Sequence, residues 1–171
     1  MKKLRALALA VLLCAGAARA ASAADTFSIL SFDNGYAPAF NLSSGNLAVA
    51  SRFALSVQIA DPLSASFVFL DGDNTIVPDY RMLRLNYQFL ERVRLNVSLG
   101  SVTGASTAPA VAVGTLASGI GFDLVAFRRK FQEALATEFK VQIDYLFTPS
   151  VAAAGLTGGI LFLGCGFSIG I

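Results

Sequence analysis

Histidine and tryptophan are absent, cysteine occurs twice, and only 14% of the 171 residues are charged. Without histidine the chain has no imidazole to act as a general base near neutral pH, and it lacks the commonest metal ligand. Long apolar runs are also missing: beyond the first twenty or so residues no stretch of about 18 apolar residues occurs, which excludes a membrane-spanning helix. What is present points the other way. Hydrophobic residues make up 55% of the chain, mean hydropathy is +0.64, and there are 15 glycines. Disorder is excluded, and so is an ordinary soluble domain, so the apolar residues must be spread over many short elements.

The N-terminus reads in three parts: a basic start (Lys2, Lys3, Arg5), an apolar stretch from Ala6 to Ala17, and Ala-x-Ala sites at Ala18-Arg19-Ala20 and Ala21-Ser22-Ala23. This is the pattern of a cleaved Sec-type signal peptide over 1–23, ahead of one domain over 24–171. A short membrane anchor fits less well, because the apolar stretch is too short to span and no stop-transfer pattern follows. Cys14 belongs to the apolar stretch, since the bulky Leu13 stands where a lipoprotein signal has a small residue. Cleavage leaves Cys165 as the single cysteine, excluding an internal disulfide and a Cys-based metal cluster. It also lowers the Lys and Arg count from 13 to nine against 11 Asp and Glu, so the mature chain offers no basic surface for nucleic acid.

From Ala24 onward, apolar and polar residues alternate in segments bounded by Gly, Pro, Asn, Asp and Ser. In the segment 139–147, Phe139, Val141, Ile143, Tyr145 and Phe147 fall on one face and Lys140, Gln142 and Asp144 on the other. Period two means strands, and the rule predicts eight: 25–33, 46–60, 64–70, 81–89, 93–103, 110–127, 138–147 and 158–171. The fourth and fifth form a hairpin that sets Gln88 opposite Arg94, Asn86 opposite Asn96, Arg84 opposite Ser98 and Tyr87 opposite Leu95. Connections alternate between longer (34–45, 71–80, 104–109, 148–157) and tight (61–63, 90–92). The sixth breaks this pattern, because Gln132, Glu133, Ala134 and Leu135 could make one helical turn. An even number of alternating strands with short turns at one end is the layout of an all-β, eight-stranded antiparallel up-and-down transmembrane β-barrel.

Sidedness follows from size. Eight closed strands enclose a lumen only wide enough for side chains, so the polar face, with Arg52, Gln58, Arg84, Gln88, Arg94, Asp123, Lys140, Gln142 and Asp144, is expected inside as one network. The expectation includes Asp123 and Asp144 as the inward carboxylates of the strands, at least one of them neutralising Arg84, Arg94 or Lys140. Phe53, Phe67, Phe69, Tyr87, Phe89, Phe122, Phe139, Tyr145, Phe147 and Phe167 are then left for lipid. The small inward residues Ala117, Gly119, Gly121, Gly164, Gly166, Ser168 and Gly170 could leave a slot in the wall. Two soluble alternatives put the apolar face inside: a lipocalin-like periplasmic barrel, or a sandwich with a second sheet covering that face. No chemical motif competes: Asp71-Gly72-Asp73-Asn74 lacks the remaining ligands of a calcium loop, no glycine-rich phosphate loop precedes a helix, and an ordinary carboxylate is too weak to activate a serine. No metal or cofactor is expected.

The end of the chain, Cys165-Gly166-Phe167-Ser168-Ile169-Gly170-Ile171, resembles the C-terminal signal by which bacterial outer-membrane barrels are recognised for assembly: polar, Gly, two free positions, hydrophobic, one free, hydrophobic. Gly166, Ile169 and Ile171 fill the pattern. Ile171 stands where an aromatic, usually Phe, is common, and Cys165 where a polar residue is. Residues 24–171 are accordingly similar in architecture to the small eight-stranded outer-membrane barrels, the OmpX, OmpW and OmpA-barrel family. That resemblance implies residence in the bacterial outer membrane, with its lipid, the barrel-assembly machinery and periplasmic chaperones as partners. Some members of this size class modify lipid A through His-containing serine sites; a chain without histidine is expected not to be an enzyme. OmpW-like relatives imply passage of small hydrophobic solutes through a gap in the wall. No peptidoglycan-binding domain is expected after the barrel. The functional expectation is therefore a narrow channel for small, hydrophobic solutes, with a non-transporting structural or surface-interaction barrel as the alternative.

Overall fold

Alternation of small or polar with large apolar residues carries through nearly every element of the computed structural model, which describes residues 30–42, 45–73, 76–104, 106–107, 110–111, 113–132, 135–149 and 157–171. The proposed leader, 1–23, lies outside the described residues. Among those residues the regular structure is all strand: β1 (Leu30–Asn41), β2 (Leu47–Ala60), β3 (Leu63–Asp71), β4 (Asp79–Leu90), β5 (Val93–Gly104), β6 (Ser106–Thr107), β7 (Ala110–Val111), β8 (Leu116–Gln132), β9 (Leu135–Pro149) and β10 (Thr157–Gly170). Eight of them close into a barrel in the order β1-β10-β9-β8-β5-β4-β3-β2, every pair antiparallel. The remaining two, β6 and β7, form a small ladder within the β5–β8 connection. Leu30 and Ile171 seal the seam by exchanging backbone hydrogen bonds of 3.1 and 2.9 Å.

The β4–β5 hairpin has the predicted register: Gln88 faces Arg94, Asn86 faces Asn96, Arg84 faces Ser98 and Tyr87 faces Leu95. Three boundaries differ from the sequence reading. The first strand runs on to Asn41, so the predicted loop 34–45 shrinks to 42–46. Asn, Gly, Ala and Pro suggested a loop there, yet Asp33, Ala37, Ala39 and Asn41 are buried while Phe32, Tyr36 and Phe40 are exposed. Pro38 is accommodated because the ladder to β10 skips Ala37 and Pro38, where proline has no N–H to give. The sixth predicted strand does not start at 110: Gly114, at φ +85°, turns the chain, and β8 begins at Leu116. The helical turn expected at 132–135 falls partly outside the described residues. Gln132 pairs directly with Leu135 across a tight turn, with Glu133 and Ala134 outside the described residues.

That third difference has a local cause. Asp123 and Val125 point inward, so strict alternation would send Phe127 and Arg129 into the lumen. A β-bulge between Val125 and Phe127 absorbs the extra residue Ala126 and inverts the parity. Phe127, Arg129 and Phe131 therefore lie outside, and Arg128 turns inward to Glu138. With β8 extended in this way, the connections alternate without exception: 42–46, 72–78, 105–115 and 150–156 gather at one end, and the tight turns 61–62, 91–92 and 133–134 at the other.

The outer wall is apolar. Phe53, Phe67, Phe122, Phe139, Tyr145 and Phe167 are exposed, and Phe69, Tyr87, Phe89 and Phe147 are half-buried, as expected for the outward face. This is the reverse of a lipocalin or a sandwich core, so neither soluble alternative describes this barrel. Successive cross-strand partners Phe127, Phe139, Phe167, Asn34, Phe53, Phe69, Arg81, Ser101 and Leu116 make one circuit that climbs β8 from Phe127 to Leu116. At about 3.3 Å per residue and a tilt near 45°, that climb is the stagger of the closed sheet, roughly 25 Å along the axis.

The interior corrects the expectation of a uniformly polar lumen. Toward the end with longer connections it is packed with Val68, Leu70, Tyr80, Met82, Val102, Leu146, Ile160 and Phe162, lined by the small Ala37, Ala39, Ala48, Ala50 and Ala117. Val77, from the 72–78 connection, is 0% exposed and inserts into this cluster. Asp73 Oδ1 holds the inserted loop by accepting from the N–H groups of Ile76 (2.8 Å) and Val77 (2.9 Å).

The parity inversion is testable in detergent micelles by urea unfolding. Arg128→Ala removes an inward cation from Glu138 and should cost about 1–3 kcal/mol, whereas Arg129→Ala on the outer face should stay within about 0.5 kcal/mol. Equal costs would place both side chains outside.

Candidate functional site

The polar half of the lumen sits toward the tight-turn end, and it is built by period two on facing strands. Strand β9 supplies Glu138, Lys140, Gln142 and Asp144, β4 supplies Arg84, Asn86 and Gln88, β5 supplies Arg94, Asn96 and Ser98, and β1, β2 and β8 contribute Asp33, Arg52 and Asp123. Three ion clusters result. Asp33 takes Arg52 Nη1 at 3.0 Å and Lys140 Nζ; Lys140 also lies 3.7 Å from Asp123. Gln142 ties this cluster together, accepting from Arg52 at 2.6 Å and donating to Asp123 at 3.2 Å, while Asn96 donates to Asp123 at 2.6 Å. In the second cluster Arg84 donates to Asp144 at 2.9 Å and to Ser98 at 3.0 Å. In the third, Glu138 is held by a two-pronged Arg94 contact, 2.7 Å on each oxygen, and by Arg128 at 3.0 Å.

Every predicted member of the network, Arg52, Arg84, Gln88, Arg94, Asp123, Lys140, Gln142 and Asp144, faces the interior. Gln58 and Gln88 stand at the turn-end mouth, where their amides donate to the carbonyls of Ala60 and Glu91. The expected neutralisation occurs in the Asp144–Arg84 pair. The reading of Asp123 and Asp144 as the inward carboxylates needs correction, because Asp33 and Glu138 are inward as well, at 2% and 0% exposure. Glu138 was legible: it continues the 140, 142, 144 face by one step. Asp33 was the last residue of the predicted first strand and was not read as inward, and Arg128 fell past the predicted end of the sixth strand at 127.

Three of the small inward residues, Gly119, Gly121 and Gly166, are covered by side chains and leave no slot. Gly121 lies beneath the carboxylate of Asp144, Gly119 beneath Leu146, and Gly166 against Asp33, so that a Cβ at any of the three would strike the side chain resting on it. The glycines are seats for lumen side chains. Near the turn end the network encloses a cavity of about 40 Å³ bordered by Arg52, Arg94, Lys140 and Ser168, room for water rather than for a solute. At the other end Tyr80 and Thr148 share a 3.1 Å hydroxyl contact across the apolar plug. Among the described residues, no group of His, Cys, Asp and Glu could hold a metal ion. The end-of-chain residues lie on β10 and just past it, Gly166 inward and Ile169 and Ile171 exposed on the outer face.

No family model and no curated protein matches the chain. Among solved structures it is similar to a chain described as "De novo design of transmembrane beta-barrels", with 9% identity over 84% of this chain and 98% of that one and a TM-score of 0.47.

Two outcomes check the network by urea unfolding. In double-mutant cycles, Arg84 with Asp144 should couple by more than about 1.5 kcal/mol, and Lys140 with Asp144 by well under half of that. Gly121→Val should cost about as much as Asp144→Ala, roughly 3–5 kcal/mol, because it displaces the same carboxylate from Arg84; a tolerated valine would show that the seat is open.

Proposed function

We propose that this chain is an integral outer-membrane barrel whose lumen is closed to solutes, serving as a structural or surface-interaction element of a bacterial envelope. One observation carries the closed-lumen reading: among the described residues the interior is filled by paired charges at the turn end, around a cavity with room only for water, and by an apolar plug at the other end. A narrow channel, the expectation from the OmpW-like resemblance, would require Val77, Tyr80 and Phe162 to leave the plug together. Membrane residence is supported by the outer wall, where large apolar side chains from all eight strands stand exposed, as on the lipid-facing band of a membrane barrel. In water a contiguous apolar surface of that extent would drive aggregation.

Several parts of this reading come from the sequence. Residues 1–23 direct export, Gly166, Ile169 and Ile171 present the outward-facing end of β10 to the barrel-assembly machinery, and periplasmic chaperones carry the chain there. The tight turns face the periplasm and the longer connections face outward. No catalytic role is assigned, since serine and carboxylates alone supply no competent base.

Planar-bilayer recording of the refolded protein tests the closed lumen: the expected trace is flat, and steady unitary currents would restore the channel. Membrane insertion is checked separately. The folded barrel should resist detergent and run differently on gels before and after boiling, and Val141→Arg, which sets a charge on the outer wall, should cost about 2–4 kcal/mol in lipid vesicles. Recovery from the soluble periplasmic fraction, or a neutral Val141→Arg, would refute the membrane reading.

A further inference from the structure

The outer wall near the tight-turn end carries two successive cross-strand pairs of contrasting chemistry. Phe127 faces Phe139, and the next outward pair, one step closer to the turn, is Arg129 with Thr137. On the outer face of β8, Arg129 is the first charged residue after the apolar run Ile120, Phe122, Leu124 and Phe127. Its guanidinium carbon lies 5.1 Å from the ring centroid of Phe131, which holds the planar group against the wall. Among the described residues Arg129 has no carboxylate partner. The other outward arginine of the wall, Arg81, is neutralised by Asp71 at 2.7 Å, and inward Arg128 by Glu138. A second exposed cation, Arg92, stands on the neighbouring turn, where its carbonyl accepts from Val125 N–H.

From this arrangement we propose that Arg129 and Thr137, above Phe127 and Phe139, form a headgroup site for an anionic phospholipid of the leaflet on the turn side. The inference rests on the membrane reading given above. The parts match the ligand in order along the membrane normal. Guanidinium and hydroxyl offer donors to phosphate oxygens, the two phenyl rings line the start of the acyl chain, and the uncompensated charge selects a headgroup with a net negative charge. The bulge at Ala126 is what makes the site: with strict alternation, Arg129 would have pointed into the lumen and Arg128 would have faced the lipid. A 17-residue strand is longer than the 9–11 residues needed to span the hydrocarbon, and the excess carries Arg129 to headgroup depth.

The test is native mass spectrometry of the full barrel released from micelles containing equal amounts of phosphatidylglycerol and phosphatidylcholine. Wild type should retain one phosphatidylglycerol in preference to phosphatidylcholine. Arg129→Gln should lower that preference about fivefold, the effect of one basic side chain at a membrane surface, and Arg129→Lys should keep part of it. Arg81→Gln, at the opposite rim, should change nothing. Equal retention of both lipids by wild type, or an unchanged preference in Arg129→Gln, would overturn the site. Boiled and unboiled gels of each sample report the folded barrel independently: a barrel that inserts and shows no preference refutes the site alone, and one that does not insert refutes the membrane reading and the site together.

Discussion

Closure of eight strands is the constraint on which everything else depends. A closed sheet has two faces and no edge, and at this strand number its inner face bounds a space only as wide as the side chains that fill it. Each inward residue must therefore be packed or paired. A charge drawn into such a space without an opposite partner is costly, which accounts for the assembly of Asp33, Asp123, Glu138 and Asp144 with Arg52, Arg84, Arg94, Arg128 and Lys140 into three adjoining clusters. The same limit on width explains the glycines of β8 and β10. Gly121 and Gly166 clear the volume that Asp144 and Asp33 occupy, and Gly119 clears that of Leu146.

The two halves of the lumen solve the filling problem with different chemistry, and the difference follows the connections. At the end with longer connections, a loop can fold inward, and Val77 joins Tyr80, Met82 and Phe162 in a core of the ordinary globular kind. At the tight-turn end two-residue connections offer nothing to insert, so the lumen closes with long polar side chains reaching across it from opposite walls. Those ion pairs also fix register. A one-residue slip of β9 would carry Glu138, Lys140, Gln142 and Asp144 to the outer wall together, leaving Arg52, Arg84 and Arg94 unpaired.

Much of this was legible in the sequence because period two is a local signal. The strand count, the β4–β5 register and the inward position of all eight residues of the predicted network need only alternation and turn residues. Three kinds of feature were not legible. The extent of β1 was masked by Asn34, Gly35 and Pro38; pairing on both sides overrides the loop character of Asn34 and Gly35, and Pro38 is held by β2 alone. The bulge at Ala126 leaves no pattern of its own, and with the sixth strand ended at 127 the faces of Arg128 and Arg129 went unread. Partner choice within the lumen depends on distances across the barrel: Asp144 meets Arg84 from β4, while Lys140 meets Asp33 from β1. The apolar plug escaped because Met82, Leu146 and Phe162 share a period with polar neighbours, and alternation does not report where along the axis an inward face changes from polar to apolar.

The central claim is a membrane barrel with lipid outside and a filled interior, and spin labels along one strand address both halves at once. With Cys165 replaced by alanine, single cysteines from 139 to 146 of β9 would be labelled in refolded barrels in lipid vesicles and probed with oxygen and a water-soluble nickel chelate. The expected result is a period of two: oxygen reaches labels at 139, 141, 143 and 145, and neither reagent reaches those at 140, 142, 144 and 146. Nickel access at the even positions would mean a water-filled pore, and loss of oxygen access at the odd positions would mean that the apolar wall does not face lipid.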